Sequence, residues 1–167
     1  MIGFSQGGCA AAILTSLLEP GRKAAFDALK AAPSPSEQAE ETFPYPDSFV
    51  KSDGNMIQSP FKFAAIYSAF AAPKEAYEAL YSPRITTPSV HFLGGLDTVV
   101  SEERSRFLAE QCFEGARIMV HPGGHFLPSQ KVWIEGLLGF IRERVVVEEV
   151  KAAVENVEGV EDMDVPF

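Results

Sequence analysis

Gly3-Phe4-Ser5-Gln6-Gly7-Gly8 runs directly into Cys9-Ala10-Ala11-Ala12-Ile13-Leu14-Thr15-Ser16-Leu17-Leu18, and the reading of this stretch decides the fold. Gly-x-Ser-x-Gly followed by an apolar helix is the pattern of a sharp strand-to-helix turn that carries a nucleophilic serine. The turn holds the serine in strained backbone geometry, so only glycine fits closely on either side. It also leaves Ser5 Oγ exposed at a helix N-terminus, where the amide of Gln6 can stabilise a developing oxyanion. Cys9, Ala12, Ile13 and Leu17 recur at helical spacing, so a buried helix is expected from about Gly7 to the residues before Pro20 and Gly21.

Outward from the turn, residues 22–32 read as a short Ala-rich helix. Pro33, Pro35, Pro44 and Pro46, mixed with Ser, Glu and Thr, mark residues 33–48 as a surface loop. Phe61–Phe70, Pro88–Leu93 and Arg117–Val120 are apolar runs with too few polar residues for an amphipathic helix, as expected of strands buried on both faces. Helices are expected over Ser101–Cys112 and from about Ser129, where Trp133, Leu137, Phe140 and Ile141 form an apolar stripe. Such strand–helix alternation predicts an α/β fold with a parallel sheet flanked by helices.

Two further loops carry chemistry. Asp97 follows the strand that ends at Gly94-Gly95, and His125 follows the strand that ends near His121, in His121-Pro122-Gly123-Gly124-His125-Phe126-Leu127-Pro128. Ser5, Asp97 and His125 thus stand in the chain order Ser, Asp, His, each on a loop after a strand. Such a set lets His125 take the Ser5 proton while Asp97 fixes the imidazole tautomer. His121 and His91 are rival bases, but His121 closes a strand and His91 sits inside one as a packed core residue. Asp47, Asp53 and Glu102 are rival acids, and none follows a strand of the required kind.

Composition bounds the rest. The chain has 167 residues, 46% hydrophobic and 22% charged, which suits one globular domain. A net charge of −9 offers no electrostatic footprint for nucleic acid. Cys9 and Cys112 form no metal-site or disulfide pattern and read as small buried hydrophobes. No cofactor and no metal are expected. No apolar run reaches bilayer length and no signal peptide is visible, so the expected location is cytoplasmic, with the nucleus also open to such a protein.

Taken together, Gly3–Gly7, Ile66-Tyr67-Ser68-Ala69-Phe70, Gly94–Val100 and above all His121–Pro128 resemble the FSH family of serine hydrolases. Gly3–Gly8 is also similar to the elbow of acyl-protein thioesterases and small carboxylesterases, but the Pro-Gly-Gly-His loop favours the first family. The resemblance implies an α/β-hydrolase that acts on esters or thioesters, with Ser5, Asp97 and His125 in the triad positions. Some members of the family look like thioesterases that release polyketide acyl chains, an activity of secondary metabolism. Family members carry about four strands before the elbow, so this chain is expected to be the C-terminal portion of such a fold. Met1 and Ile2 are expected to be too few to form the strand that delivers Ser5, and a second oxyanion donor is expected upstream. The expected organisation is a partial hydrolase domain over 1–145, with an insertion at 20–60, and an acidic tail over 146–167. Phe43, Tyr45 and Phe49 in the insertion are expected contacts of a lid or acyl-binding wall. The expected partner is a small ester or thioester, with no nucleic acid and no membrane span, and an uncovered sheet edge is expected to favour association. A catalytically inactive hydrolase-like binding module is the competing function.

Overall fold

The computed structural model describes residues 1–31, 43–73 and 75–158. It divides into two compact units, 1–128 and 129–167. The first unit is built on four parallel strands in the order β1-β2-β3-β4: β1 Ile2–Phe4, β2 Ala64–Tyr67, β3 Ser89–Gly94 and β4 Arg117–His121. Consecutive strands are neighbours, with Gly3 opposite Ile66, Ile66 opposite His91 and His91 opposite Ile118. Every residue of β2 and β3 is buried, which explains why both read as unbroken apolar runs rather than alternating ones.

One expectation fails at the first strand. Ile2–Phe4 does form a strand, with Ile2 opposite Ala65. The Met1 amino group donates to Phe63 O at 2.9 Å, and Ala65 N donates to Met1 O at 2.9 Å. Three residues suffice because β2 already presents an ordered ladder, so β1 only has to complete it.

Helix α1 (Gln6–Leu17) packs on β1 and β2 and stops where Leu18 N and Glu19 N turn back to Thr15 O and Ser16 O. Its small residues let it approach the sheet closely: a methyl added at Gly8 would lie 2.6 Å from Ala69 Cβ. Ala12, Ala64, Ile66, Ala69, Ile85, Leu108 and Phe113 form the core on this face. Cys112 joins that core, and burial raises its thiol to about 11.

Helix α2 (Arg22–Ala31) covers a second cluster made by Leu17, Phe26, Tyr45, Ala79 and Leu80. Phe49 packs against this cluster, Phe43 lies 6.5 Å from the Phe26 ring, and Tyr45 Oη donates to Leu17 O at 2.6 Å. The three aromatics expected in a lid are therefore held in a packed cluster with α2, while residues 32–42 of the insertion lie outside the described residues.

Helix α3 (Glu102–Phe107) starts at Ser101, whose Oγ accepts from Arg104 N at 3.4 Å, and Glu102 and Glu103 face its N-terminal dipole. It does not continue as α-helix to Cys112; Leu108–Cys112 is a wider π-helical turn. In the second unit α4 runs from Lys131 to Glu158. It passes through residue 145 into the segment expected as a tail, and residues 159–167 lie outside the described residues. Among the described residues no helix is long and apolar enough to cross a membrane.

Candidate active site

Three strands deliver three loops to one edge of the sheet. Ser5 follows β1 directly, Asp97 comes three residues after β3, and His125 comes four residues after β4. All strands run in one direction, so their carboxyl ends and these loops meet on the same side, where open α/β sheets place ligands.

Ser5 has φ 54° and ψ −123°, a left-handed conformation that costs a non-glycine residue about 1–3 kcal/mol. Its N–H donates to Tyr67 O at 2.9 Å, and its carbonyl accepts from Gly8 N and Cys9 N at 3.0 Å each. The serine is thus fixed from β2 and from α1 at once. Gly3 makes the turn tight: a methyl on it would sit 2.3 Å from Gly7 O, whereas one on Gly7 would meet nothing within 4 Å, so the expected need for glycine holds on one side of the serine only. Gln6 is the first residue of α1, so its N–H has no carbonyl one turn back to bond and is open to another acceptor.

His125 Nε2 lies 2.9 Å from Ser5 Oγ, and His125 Nδ1 lies 2.7 Å from Asp97 Oδ2. An ionised carboxylate only accepts, so Nδ1–H must donate to Asp97 and Nε2 is left to accept from the Ser5 hydroxyl. Asp97 Oδ1 accepts from Val99 N and Val100 N at 2.9 Å each. Burial alone would push the Asp97 carboxyl up. The bonds from Val100, His125 and Val99 outweigh it and hold the group below its ordinary value. Its side chain is 1% exposed, against 18% for His125, so the carboxylate is shielded while the imidazole reaches the surface.

The loops are laced together by backbone. Gly95 N donates to His121 O at 2.8 Å and Leu96 N to Gly123 O at 3.0 Å. The Phe4 ring packs on the His125 imidazole with centroids 4.8 Å apart.

The rival residues fall elsewhere. His91 is buried on β3 beside Ser89 Oγ at 3.3 Å, and burial lowers it to about 3. His121 is buried at the end of β4, and its Nδ1 accepts from Gly123 N at 3.2 Å. Asp53 caps a turn by accepting from Asn55 N, Asp47 begins a short helical turn, and Glu102 pairs with Arg106. Among the described residues no three His, Cys, Asp or Glu side chains are grouped to hold a metal.

Two positions were not legible as site residues. Phe4 occupies the variable place of the elbow motif, and only its contact with His125 singles it out. Ser68 follows β2 directly, with φ 43°, and is buried; a run of apolar residues gives no hint of a left-handed turn.

The fold is that of the α/β-hydrolases: the crystal structure of Zea mays acyl-protein thioesterase 2 superposes with a TM-score of 0.53 and 14% identity, over 86% of this chain and 54% of that one. Residues 1–137 match the family described as serine hydrolase (FSH1), and the chain belongs to that family. Relatives include a protein named dihydrofolate reductase from Schizosaccharomyces pombe, 33% identical over 84% of this chain and 24% of that protein. Another is esterase OVCA2 from Danio rerio, 41% identical over 41% of this chain and 30% of that protein. The alignments span about a quarter to a third of these two relatives' length.

Proposed function

We propose that the protein hydrolyses carboxylic esters or thioesters through an acyl-enzyme on Ser5. The observation that carries this reading is the unbroken chain from Ser5 Oγ through His125 to Asp97. In the first half-reaction Ser5 Oγ attacks the acyl carbon as its proton passes to His125 Nε2. The tetrahedral intermediate collapses, the bond to the alcohol or thiol breaks, and His125 returns the proton to the leaving group. In the second half-reaction water attacks the acyl-Ser5 carbon, gives its proton to His125, and the acid leaves as Ser5 Oγ is reprotonated. Asp97 accepts the Nδ1 proton bond throughout and stabilises the imidazolium. In this reading the Gln6 N–H, at the start of α1 with the helix dipole behind it, receives the oxyanion. Membership of a serine hydrolase family and relatives named esterases support the reaction class.

Labelling with a fluorophosphonate probe tests the proposal. Ser5 should be modified, and Ser5→Ala and His125→Ala should each abolish the adduct. An unlabelled wild-type chain, or an adduct unchanged in Ser5→Ala, overturns the reading and favours a non-catalytic binding module.

A further inference from the structure

The elbow turn makes no demand on the side chain just before Ser5, yet the Phe4 ring packs on the His125 imidazole with centroids 4.8 Å apart and planes tilted by 39°. That separation is the one favoured by aromatic pairs. The sheet sets the direction of the ring. Phe4 on β1 stands opposite Tyr67 on β2, and Tyr67 opposite Phe92 on β3. Side chains at paired positions of neighbouring strands leave the same face of a sheet, and the buried rings of Tyr67 and Phe92 stack at 4.4 Å and 7°. Half-buried Phe4 continues this row and ends it against His125.

Asp97 Oδ2 at 2.7 Å from Nδ1 and Ser5 Oγ at 2.9 Å from Nε2 hold the imidazole at two atoms. Both bonds act in the ring plane, and a second ring against the face resists displacement out of that plane. The contact has an electrostatic side as well. An aromatic face carries negative charge density and attracts a cation within about 6 Å of its centre. Phe4 therefore interacts more strongly with the imidazolium than with the neutral ring. Among the groups that titrate around His125, Asp97 is held below its ordinary value and stays a carboxylate. His121, at the end of β4, is pushed down by burial, with the Asp97 charge opposing.

We propose that Phe4 is a positioning residue for the reaction: its ring holds the His125 imidazole in line with Ser5 and Asp97, and its face favours the imidazolium formed when the Ser5 proton arrives at Nε2. The inference rests on the hydrolase reading above for the chemical step, and on the ring contact alone for the effect on His125. Phe4 acts through His125 and makes no bond to substrate, so its loss slows the chemical step and leaves substrate binding as it was.

The test is a nuclear magnetic resonance titration of the imidazole nitrogens in the full chain, which needs no substrate. The chain has three histidines, and the signal lost in His125→Asn is that of His125. Its midpoint should fall by about half a pH unit in Phe4→Leu and stay in place in Phe4→Tyr. A pentafluorophenyl side chain at position 4 keeps the shape of the ring and reverses its charge distribution. It should lower the midpoint too, and it decides the matter if Phe4→Leu fails to fold. With p-nitrophenyl butyrate, Phe4→Leu should lower kcat about three- to tenfold at unchanged KM, and Phe4→Tyr should keep the wild-type kcat. A midpoint unmoved in folded Phe4→Leu or in the fluorinated chain, or lowered as far by Phe4→Tyr, overturns the inference. So does a kinetic loss confined to KM. A midpoint that moves as expected, in a chain whose wild type neither turns over the ester nor takes a fluorophosphonate label, removes only the hydrolase reading.

Discussion

Gly94 has no room for a methyl group: one would lie 2.5 Å from Gly124 O, 2.8 Å from Gly123 O and 3.2 Å from Asp97 Cβ. The contacts are backbone of the His125 loop and the root of the acid, so nothing flexible can yield. Gly94→Ala should therefore push the Asp97 and His125 loops apart and lower turnover of an activated ester by about 10²-fold, as misplacement of catalytic groups by about an ångström does. Steady-state kinetics against an unchanged far-ultraviolet spectrum would read it. Asp97→Asn acts differently, since geometry survives but the imidazole tautomer is no longer enforced. A fall of about 10⁴ in kcat is expected, the size seen for such a change in serine-protease triads. His91 gives a pH signature away from the site. Unfolded, it takes a proton below about pH 6.5; buried in β3, it resists until about 3. Its neutral burial therefore costs nothing above the unfolded value, and stability falls as pH drops from about 6.5 towards 3. His91→Leu should flatten that part of the stability–pH curve measured by urea unfolding.

Helix α1 is anchored at both ends, and its far end shows how elements rather than residues hold the elbow steady. Glu19, just beyond α1 and 5% exposed, accepts from the N–H and Oγ1 of both Thr86 and Thr87, at 2.5–3.0 Å. Arg22, at the start of α2 and 1% exposed, donates to Ser16 O, Ala79 O and Pro83 O. Ser16 Oγ also donates to Leu80 O. Burial would raise the Glu19 carboxyl, but the Thr86 and Thr87 bonds outweigh it and hold it low. The stability it contributes is present above the ordinary carboxyl value of about 4.3 and is lost as pH falls through the depressed folded value. Glu19→Gln should cost about 1–3 kcal/mol near neutral pH by leaving donors unpaired, and the gap to wild type should close in strong acid; denaturant unfolding at both pH values checks this. Elements were legible where periodicity was strong. Gln6–Leu17 and the cores of β2, β3 and β4 stand close to their expected places because their apolar runs have few alternatives. The π turn at Leu108–Cys112 was not legible, since an i→i+5 bond leaves the same apolar residues as an i→i+4 one. The Glu19–Arg22 network was not legible either, because its partners Ala79, Pro83, Thr86 and Thr87 come from sequence more than fifty residues away.

At the scale of the molecule, β1 lies at one end of the sheet order and, among the described residues, pairs with β2 alone. Ile2 on that strand is 54% exposed, and an open, apolar strand edge is a template for another chain. The 167-residue chain is therefore expected to self-associate with rising concentration, and Ile2→Lys to shift it towards monomer in sedimentation velocity; a wild-type chain that stays monomeric would count against the edge. The sequence by itself put forward Ser5, Asp97 and His125 and their order, because the elbow pattern sets glycines around a serine and the Asp97 and His125 loops each follow an apolar run that reads as a buried strand. It also determined the parallel α/β class, from continuous rather than alternating strands. Only the tertiary structure decided that Ser5, His125 and Asp97 meet within hydrogen-bond reach, since those distances depend on the packing of loops 28 and 120 residues apart in sequence. It alone decided that Ile2–Phe4 form a strand against β2, because a strand's hydrogen bonds belong to its neighbour as much as to itself. It alone turned Arg104 over Phe70 while Arg106 found its carboxylates, a choice that two arginines on one short helix do not reveal until the surfaces around them are in place.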